Sequence, residues 1–414
     1  MYTRIKAVSG QIHSREALLV AFSKMLERAG YYGLRGILVL YMVGETMSMS
    51  ATEAFQLYTF FTAAVALSQV FGGIIGDLLL GNKRAVLVGA LLQSVGAFVI
   101  GIPSHSMLYT GAGLVVLGSG IYTPNIASQF AKQYLKTPKL LDAGFTIFYI
   151  LITAGAFVGA IVIGEVGESH GWEYGFATSG VIILLAVLPM LFIKTEQEAE
   201  GTSDARGGIK NIWYIILGAL VVGLFWLLYS LYGAMIFDIH DKLRQLNVLT
   251  VSKGITGIFD SIVLVGGLLI ALFVWSYYYS HQFTKLAIGF LAAGMGMLAL
   301  LIIGDTPTAQ HLPVFISAIV LVAIGEVHVG PVFYGLLARY SNPKYLAITM
   351  GLAFVPSYVI ASFFPLSYLL SDKLKWSPDT ILMTGITITT GIGVVLLAVV
   401  YMVRINSRKR ELAE

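Results

Sequence analysis

The chain contains no cysteine. That absence removes disulfide frameworks, thiolate metal sites and cysteine nucleophiles together. Charge is scarce as well. Only 12% of the 414 residues are Asp, Glu, Lys or Arg, against roughly 25% in an ordinary soluble domain. With 57% apolar residues and a mean hydropathy of +0.82, too little polar surface exists to cover a water-soluble globule. The sequence also lacks the G-x-x-x-x-G-K-[ST] phosphate loop, the H-E-x-x-H zinc helix and the G-x-S-x-G elbow. ATP hydrolysis and hydrolytic enzyme chemistry therefore have no machinery here, and no metal or other cofactor is expected.

What is abundant is apolar sequence in runs long enough to cross a bilayer, which takes about 20 residues per helix. Stretches bounded by charge or by Gly, Pro and Asn give twelve candidate spans, at 17–43, 54–76, 85–102, 108–131, 143–164, 174–193, 212–236, 255–278, 286–303, 313–338, 345–370 and 379–403. The first is too long, and lacks the small-residue site, for a removable signal peptide, so it is expected to persist. With the N-terminus placed in the cytoplasm, eighteen Lys and Arg residues fall on the cytoplasmic side and five on the other. This bias predicts both termini in the cytoplasm of a multi-pass protein, in a plasma membrane or a bacterial inner membrane.

A polar stretch from Lys194 to Lys210 separates six spans from six. The expected organisation is a six-helix half at 1–193, a cytoplasmic linker at 194–211 and a second six-helix half with a basic tail at 212–414. Two six-helix halves are the plan of the major facilitator superfamily, in which the substrate site lies near the bilayer midplane between halves. The expected fold class is thus all-α integral membrane. Gly72-x-x-x-Gly76 and Gly155-x-x-x-Gly159 offer small faces for close helix packing.

The charges inside the first span are the most informative feature. Lys24, Arg28, Tyr31 and Arg35 share one helical stripe at about 100° per residue, with Glu27 on its border. A charge near the bilayer centre costs at least about 2.5 kcal/mol, so several on one helix must face a cavity or one another. Later spans add Asp260 and Glu326. Arg28 and Lys24 suit a substrate carboxylate, and Glu326 suits a substrate amino group or an exchanging proton. Glu27 is the second acid expected to take part in proton coupling. Tyr31, Tyr32, Tyr149 and Trp226 are candidate lining residues. Arg35, about 16 Å along the helix from Lys24, is expected to pair with Asp260 and close the outer side. His328 reads as a packing histidine.

Between spans two and three, Gly73-Ile-Ile-Gly-Asp77 followed by Gly81-Asn-Lys83-Arg84 resembles the superfamily's cytoplasmic loop signature. There Asp77 would accept from a neighbouring helix N-terminus, and Lys83 and Arg84 would grip the anionic leaflet, as gating residues.

Glu27-Arg28-x-x-Tyr31-Tyr32-Gly33-x-Arg35 resembles the first-helix signature of the proton-dependent oligopeptide transporters, E-x-x-E-R-F-x-Y-Y-G-x-R. Gly118 to Asn125, Asp142 to Tyr149, Gly155-Ala156-Phe157, Phe225-Trp226 and Gly325-Glu326 are similar to further segments of that family. The resemblance covers the first half well and the second only in short matches. It implies proton-coupled uptake of di- and tripeptides by alternating access, by a monomer whose partners are a zwitterionic solute, protons and lipid, with no nucleic acid. The chain departs from the family in carrying Lys24 where the signature opens with Glu, and Thr123 where the fourth helix carries Lys. Thr153, which the resemblance makes a candidate substrate-binding residue, Val263 and Ser230 replace two Asn residues and an acid. These departures leave open a proton-coupled antiporter exporting another amphipathic or zwitterionic solute. A non-transporting receptor on the same scaffold is the alternative of another class.

Overall fold

The computed structural model describes residues 13–135, 137–193, 209–249, 253–277, 280–304, 306–362 and 377–411. Among them the structure is helical and contains no strand. The first-half helices are α1 (Arg15–Val43), α2 (Ala51–Ile74), α3 (Asn82–Ile100), α4 (His105–Lys132), α5 (Leu141–His170), α6 (Trp172–Leu185) and α7 (Val187–Leu191). The later ones are α8 (Ile209–Gln245), α9 (Lys253–Tyr277), α10 (Gln282–Ile303), α11 (Leu312–Tyr340), α12 (Leu346–Ser362) and α13 (Pro378–Glu411). Among the described residues, with α6 and α7 taken as one crossing, these helices fall on the twelve expected apolar runs, and eight of them are long and apolar enough to cross a membrane. Residues 363–370 of the eleventh run lie outside the described residues.

The largest boundary difference is α8, which runs nine residues past its apolar stretch to Gln245. Its extension is held by a Lys242 Nζ to Asp238 Oδ2 pair at 2.8 Å and by burial of Ile239 and Leu243. Hydropathy registers only where the hydrocarbon ends, and an amphipathic helix continues beyond it. Pro124 and Pro331 sit inside α4 and α11 without ending either helix. Membrane helices tolerate proline because neighbouring groups satisfy the freed carbonyls.

Two compact units emerge from the packing. One joins Gly10–Leu217 to Tyr334–Tyr358. The other comprises Gly218–Phe333 and the described part of Val359–Glu414. The grouping follows packing rather than chain order, because the end of α11 and the start of α12 pack onto first-half helices. Of the linker expected at 194–211, residues 194–208 lie outside the described residues and 209–211 begin α8.

In the first unit the small faces do what their spacing suggested. A Cβ on Gly159 would strike the Ala29 carbonyl, one on Gly155 the Met25 carbonyl, and one on Gly72 the Gly120 carbonyl. Backbones of α1 and α5, and of α2 and α4, therefore touch directly. Around Tyr31, Leu34, Leu38, Phe61, Ile100 and Val115 lies an apolar cluster. His13, just before α1, lies 2.8 Å by its Nδ1 from the Tyr134 hydroxyl, which fastens the start of the first helix to the α4–α5 turn. Burial pushes the His13 imidazole below its ordinary pKa. In the second unit, Leu228, Tyr232, Leu300, Phe315 and Val322 form the corresponding core.

Candidate functional site

Membrane helices bury charge only where it is compensated, and α1 shows how. Glu27 is fully buried. Its Oε2 accepts from Lys24 Nζ at 3.0 Å and from Arg28 Nε at 2.7 Å, while Oε1 accepts from Arg28 Nη2 at 2.6 Å. One carboxylate thus serves two cations. Lys24 reaches it across one helical turn, and Arg28 folds back along its own backbone into a bidentate fork. Both cations also donate to Thr123 Oγ1 on α4, each at 3.3 Å. The ammonium lies 5.1 Å from the centre of the Tyr122 ring. Arg28 lies over the rings of Tyr31 and Tyr32 at 4.5 and 5.5 Å. Of the three charged groups, Arg28 keeps the most exposure, 9%.

Two turns further along, Arg35 is caged by aromatics. Its Nη2 donates to the Tyr58 hydroxyl at 2.7 Å, and its guanidinium lies within 6 Å of the Tyr31, Tyr32 and Tyr58 ring centres. Its Nε has no hydrogen-bond partner among the described residues. The side chain of Asp260, the counter-charge expected from the sequence, lies outside the described residues. On α5, Tyr149 and Thr153 are half-buried, and the Thr153 hydroxyl is committed to the Tyr149 carbonyl at 3.0 Å.

The other unit holds Trp226 and Glu326. Trp226 packs edge-on against Phe225 and Tyr229. Glu326 is buried on α11. His328 donates from Nδ1 to the Ile324 carbonyl at 2.8 Å and sits edge-on to Trp275, the packing role expected of it. Lys285 is a cation the sequence reading missed. It was placed outside its span, yet it lies in the first turn of α10, 1% exposed, 4.6 Å from the centre of the Trp275 ring. Its signal was an aliphatic stem directly before the apolar run 286–303, where a lysine can bury its length.

A second cluster lies at the basic end of the first unit. Asp77 sits in a π-helical turn, Ile75–Leu80, a form that recurs at functional sites. Its Oδ1 accepts from Asn82 Nδ2 at 2.9 Å, and its Oδ2 accepts from the backbone N–H of Ile348 at 2.8 Å. The latter is an orphan donor at the N-terminus of α12, as the sequence suggested. Asn82 also donates to Asn125, whose own amide donates to the Gly72 and Ile121 carbonyls. Gly81 makes the turn possible with a φ of 78°. Lys83 donates to the Ile193 carbonyl just beyond α7, so it is engaged by protein, whereas Arg84 is exposed. Beside them Arg339 Nη2 donates to Asp142 Oδ1 at 3.2 Å. Tyr334 stacks on Phe145, ring centres 5.5 Å apart, and meets Phe148 edge-on. The Asp142–Arg339 pair joins residues 197 apart in the chain, a separation no local pattern reveals.

A sequence profile of the Major Facilitator Superfamily matches residues 20–365. Dipeptide and tripeptide permease A of Proteus mirabilis is 30% identical over 212 residues, covering 51% of this chain and 43% of that protein. The permease of the same name from Escherichia coli K12 is 30% identical over 222 residues, covering 52% and 44%. The matched region thus spans less than half the length of these relatives. Among solved structures, a POT family transporter crystallised with a thioalcohol-conjugated peptide superposes with a TM-score of 0.64 at 17% identity, covering 93% of this chain and 96% of that one. The POT family transporter PepTSo gives 0.61 at 15% identity, covering 95% and 99%. At such identities the likeness establishes the fold. The relatives are permeases rather than enzymes, and they bear out the resemblance to the oligopeptide transporters. With the profile matched over most of its length and twelve helical spans in the same fold, the chain belongs to the Major Facilitator Superfamily.

Proposed function

We propose that the protein is a secondary active transporter, coupling protons to uptake of di- and tripeptides or related zwitterions across a bacterial inner membrane. It works as a monomer by alternating access, with both termini in the cytoplasm. The observation that carries this reading is the Lys24–Glu27–Arg28 triad, two cations on one buried carboxylate beside Tyr31, Tyr32 and Thr123. A net positive, aromatic-walled site on a membrane helix suits a substrate carboxylate. Tyr149 and Trp226 are assigned to the lining, and Glu326 to the substrate amino group and to an exchanging proton. The Asp77 and Asp142–Arg339 contacts are assigned to closure of the basic, cytoplasmic end, with Lys83 and Arg84, and Arg35 with Asp260 to closure of the outer end.

The test is a thermal-shift panel of dipeptides, tripeptides, amino acids, organic anions and peptide C-terminal amides. A substrate at about 100 times its Kd stabilises the folded protein by roughly 2.7 kcal/mol. Peptides are expected to stabilise and their amides to do so less, with Arg28→Lys narrowing the difference because the bidentate fork is lost. Equal shifts from peptide and amide in the wild type remove the carboxylate role. For coupling, Glu326→Gln is expected to collapse uphill accumulation while counterflow exchange persists. Uphill uptake by that variant removes Glu326 as a coupling residue. Thr153 favours the second reading, export of a non-peptide zwitterion. Its hydroxyl proton is spent on the Tyr149 carbonyl, so it can accept from a substrate amine but has no proton left to donate to another substrate group.

A further inference from the structure

We infer that Lys24 is itself a proton carrier, taking up a proton when a substrate carboxylate docks at Arg28 and losing it when the carboxylate leaves. This rests on the zwitterion-transport reading and concerns a proton distinct from that assigned to Glu326.

The charges of the triad set the requirement. Two cations share one carboxylate, all of them at most 9% exposed. With Lys24 protonated and no substrate, the cluster carries one uncompensated positive charge in a dry interior, which is costly. With Glu27 and Arg28 both charged, it is neutral in only two ways: empty with Lys24 as the free amine, or loaded with a substrate carboxylate and Lys24 as the ammonium. Moving between these two states adds one proton and one carboxylate together.

The neighbours decide which group changes its charge. Arg28 cannot deprotonate in a protein. Glu27 is held by three charge-assisted donors. Tyr122, from α4, has its proton committed: Ser23 Oγ donates to the Ala186 carbonyl at 2.6 Å, so at 2.8 Å it must accept from the Tyr122 hydroxyl. On α5, packed against α1, no charged side chain lies between Phe145 and Gly164, and Tyr149 is its one titratable group there. The nearest titratable group of α2 in the described contacts, Tyr58, engages Arg35. Lys24 remains. Thr123 can serve both of its forms, since a hydroxyl accepts from an ammonium and, by rotating, donates to the lone pair of an amine. The step is a simple protonation: the nitrogen lone pair binds a proton delivered from water on the side where substrate enters. On release that proton leaves to water on the other side.

The experiment is isothermal titration of the purified full chain with a peptide, in buffers of different ionisation enthalpy and across pH 6 to 9. The wild type is expected to take up about one proton per peptide, with affinity tightening as pH falls by up to tenfold per unit. Lys24→Arg keeps the charge and the bond to Glu27 but cannot lose its proton. It is expected to bind peptide with no proton uptake and an affinity flat in pH. The C-terminal amide is expected to bind the wild type without proton uptake. Persistent uptake in Lys24→Arg, or its loss in Glu326→Gln, overturns the proposal and points to another carrier. Peptide binding with no proton uptake in the wild type contradicts the Lys24 role alone. Failure of every peptide and other zwitterion to bind contradicts the parent reading and the inference with it.

Discussion

Glu27→Gln is expected to be the most damaging single substitution in the first half. The amide keeps the shape of the side chain but removes the only carboxylate that, among the described residues, balances Arg28 and a protonated Lys24, both at least nine-tenths buried. It also turns one oxygen acceptor into an N–H donor facing a cation. Breaking a buried ion cluster from one side costs about 3–5 kcal/mol, a large share of the stability of a folded domain. The measurement is unfolding of the detergent-solubilised protein, with Lys24→Met introduced alone and together with Glu27→Gln. At a pH low enough to keep Lys24 protonated, the double variant leaves one cation unbalanced rather than two, so there it is expected to recover part of the loss. Strictly additive effects would show that Lys24 and Glu27 do not share a charge balance.

The second large effect is expected at the basic end. Asp77 holds the N-terminus of α12 through the Ile348 N–H, and Asp142 holds the end of α11 through Arg339. Neutralising Asp77 removes an anion from a helix N-terminus, worth up to about 2 kcal/mol when partly buried. Neutralising Asp142 removes a charge-assisted hydrogen bond worth about 1.5–3 kcal/mol. The double variant Asp77→Asn, Asp142→Asn is therefore expected to shift the conformational balance of the Tyr334–Tyr358 segment by more than tenfold. Because the native chain has no cysteine, one cysteine placed at buried Thr146 reports this without background. Labelling by a membrane-impermeant maleimide is expected to speed up about tenfold or more in the double variant. Unchanged labelling would mean that these contacts hold the fold without controlling access.

How far the sequence speaks is clearest in particular residues. The twelve spans were legible because lipid imposes one composition on every crossing, and the helix ends were misjudged only where amphipathic turns continue into water, as in α8. The α1 stripe was legible because four charges inside one membrane span have a single economical arrangement, facing inward together. That Glu27 takes both cations, with Thr123 closing the cluster from α4, was not, since side-chain partners across helices follow from packing. Asp77 could be read as a helix-terminus acceptor, but not that α12 supplies the donor. Asp142 with Arg339 and the burial of Lys285 escaped for the same reason. Each depends on a distant segment arriving beside it.

The most direct test of the transport reading is accumulation of a labelled dipeptide by proteoliposomes containing the wild-type chain. An inward proton gradient is imposed with no peptide gradient. Concentration of the peptide inside to several times the outside level, abolished by a protonophore, is the expected result. Peptide that never exceeds the outside level, with the gradient intact and the protein shown to bind that same peptide, would contradict proton-coupled uptake.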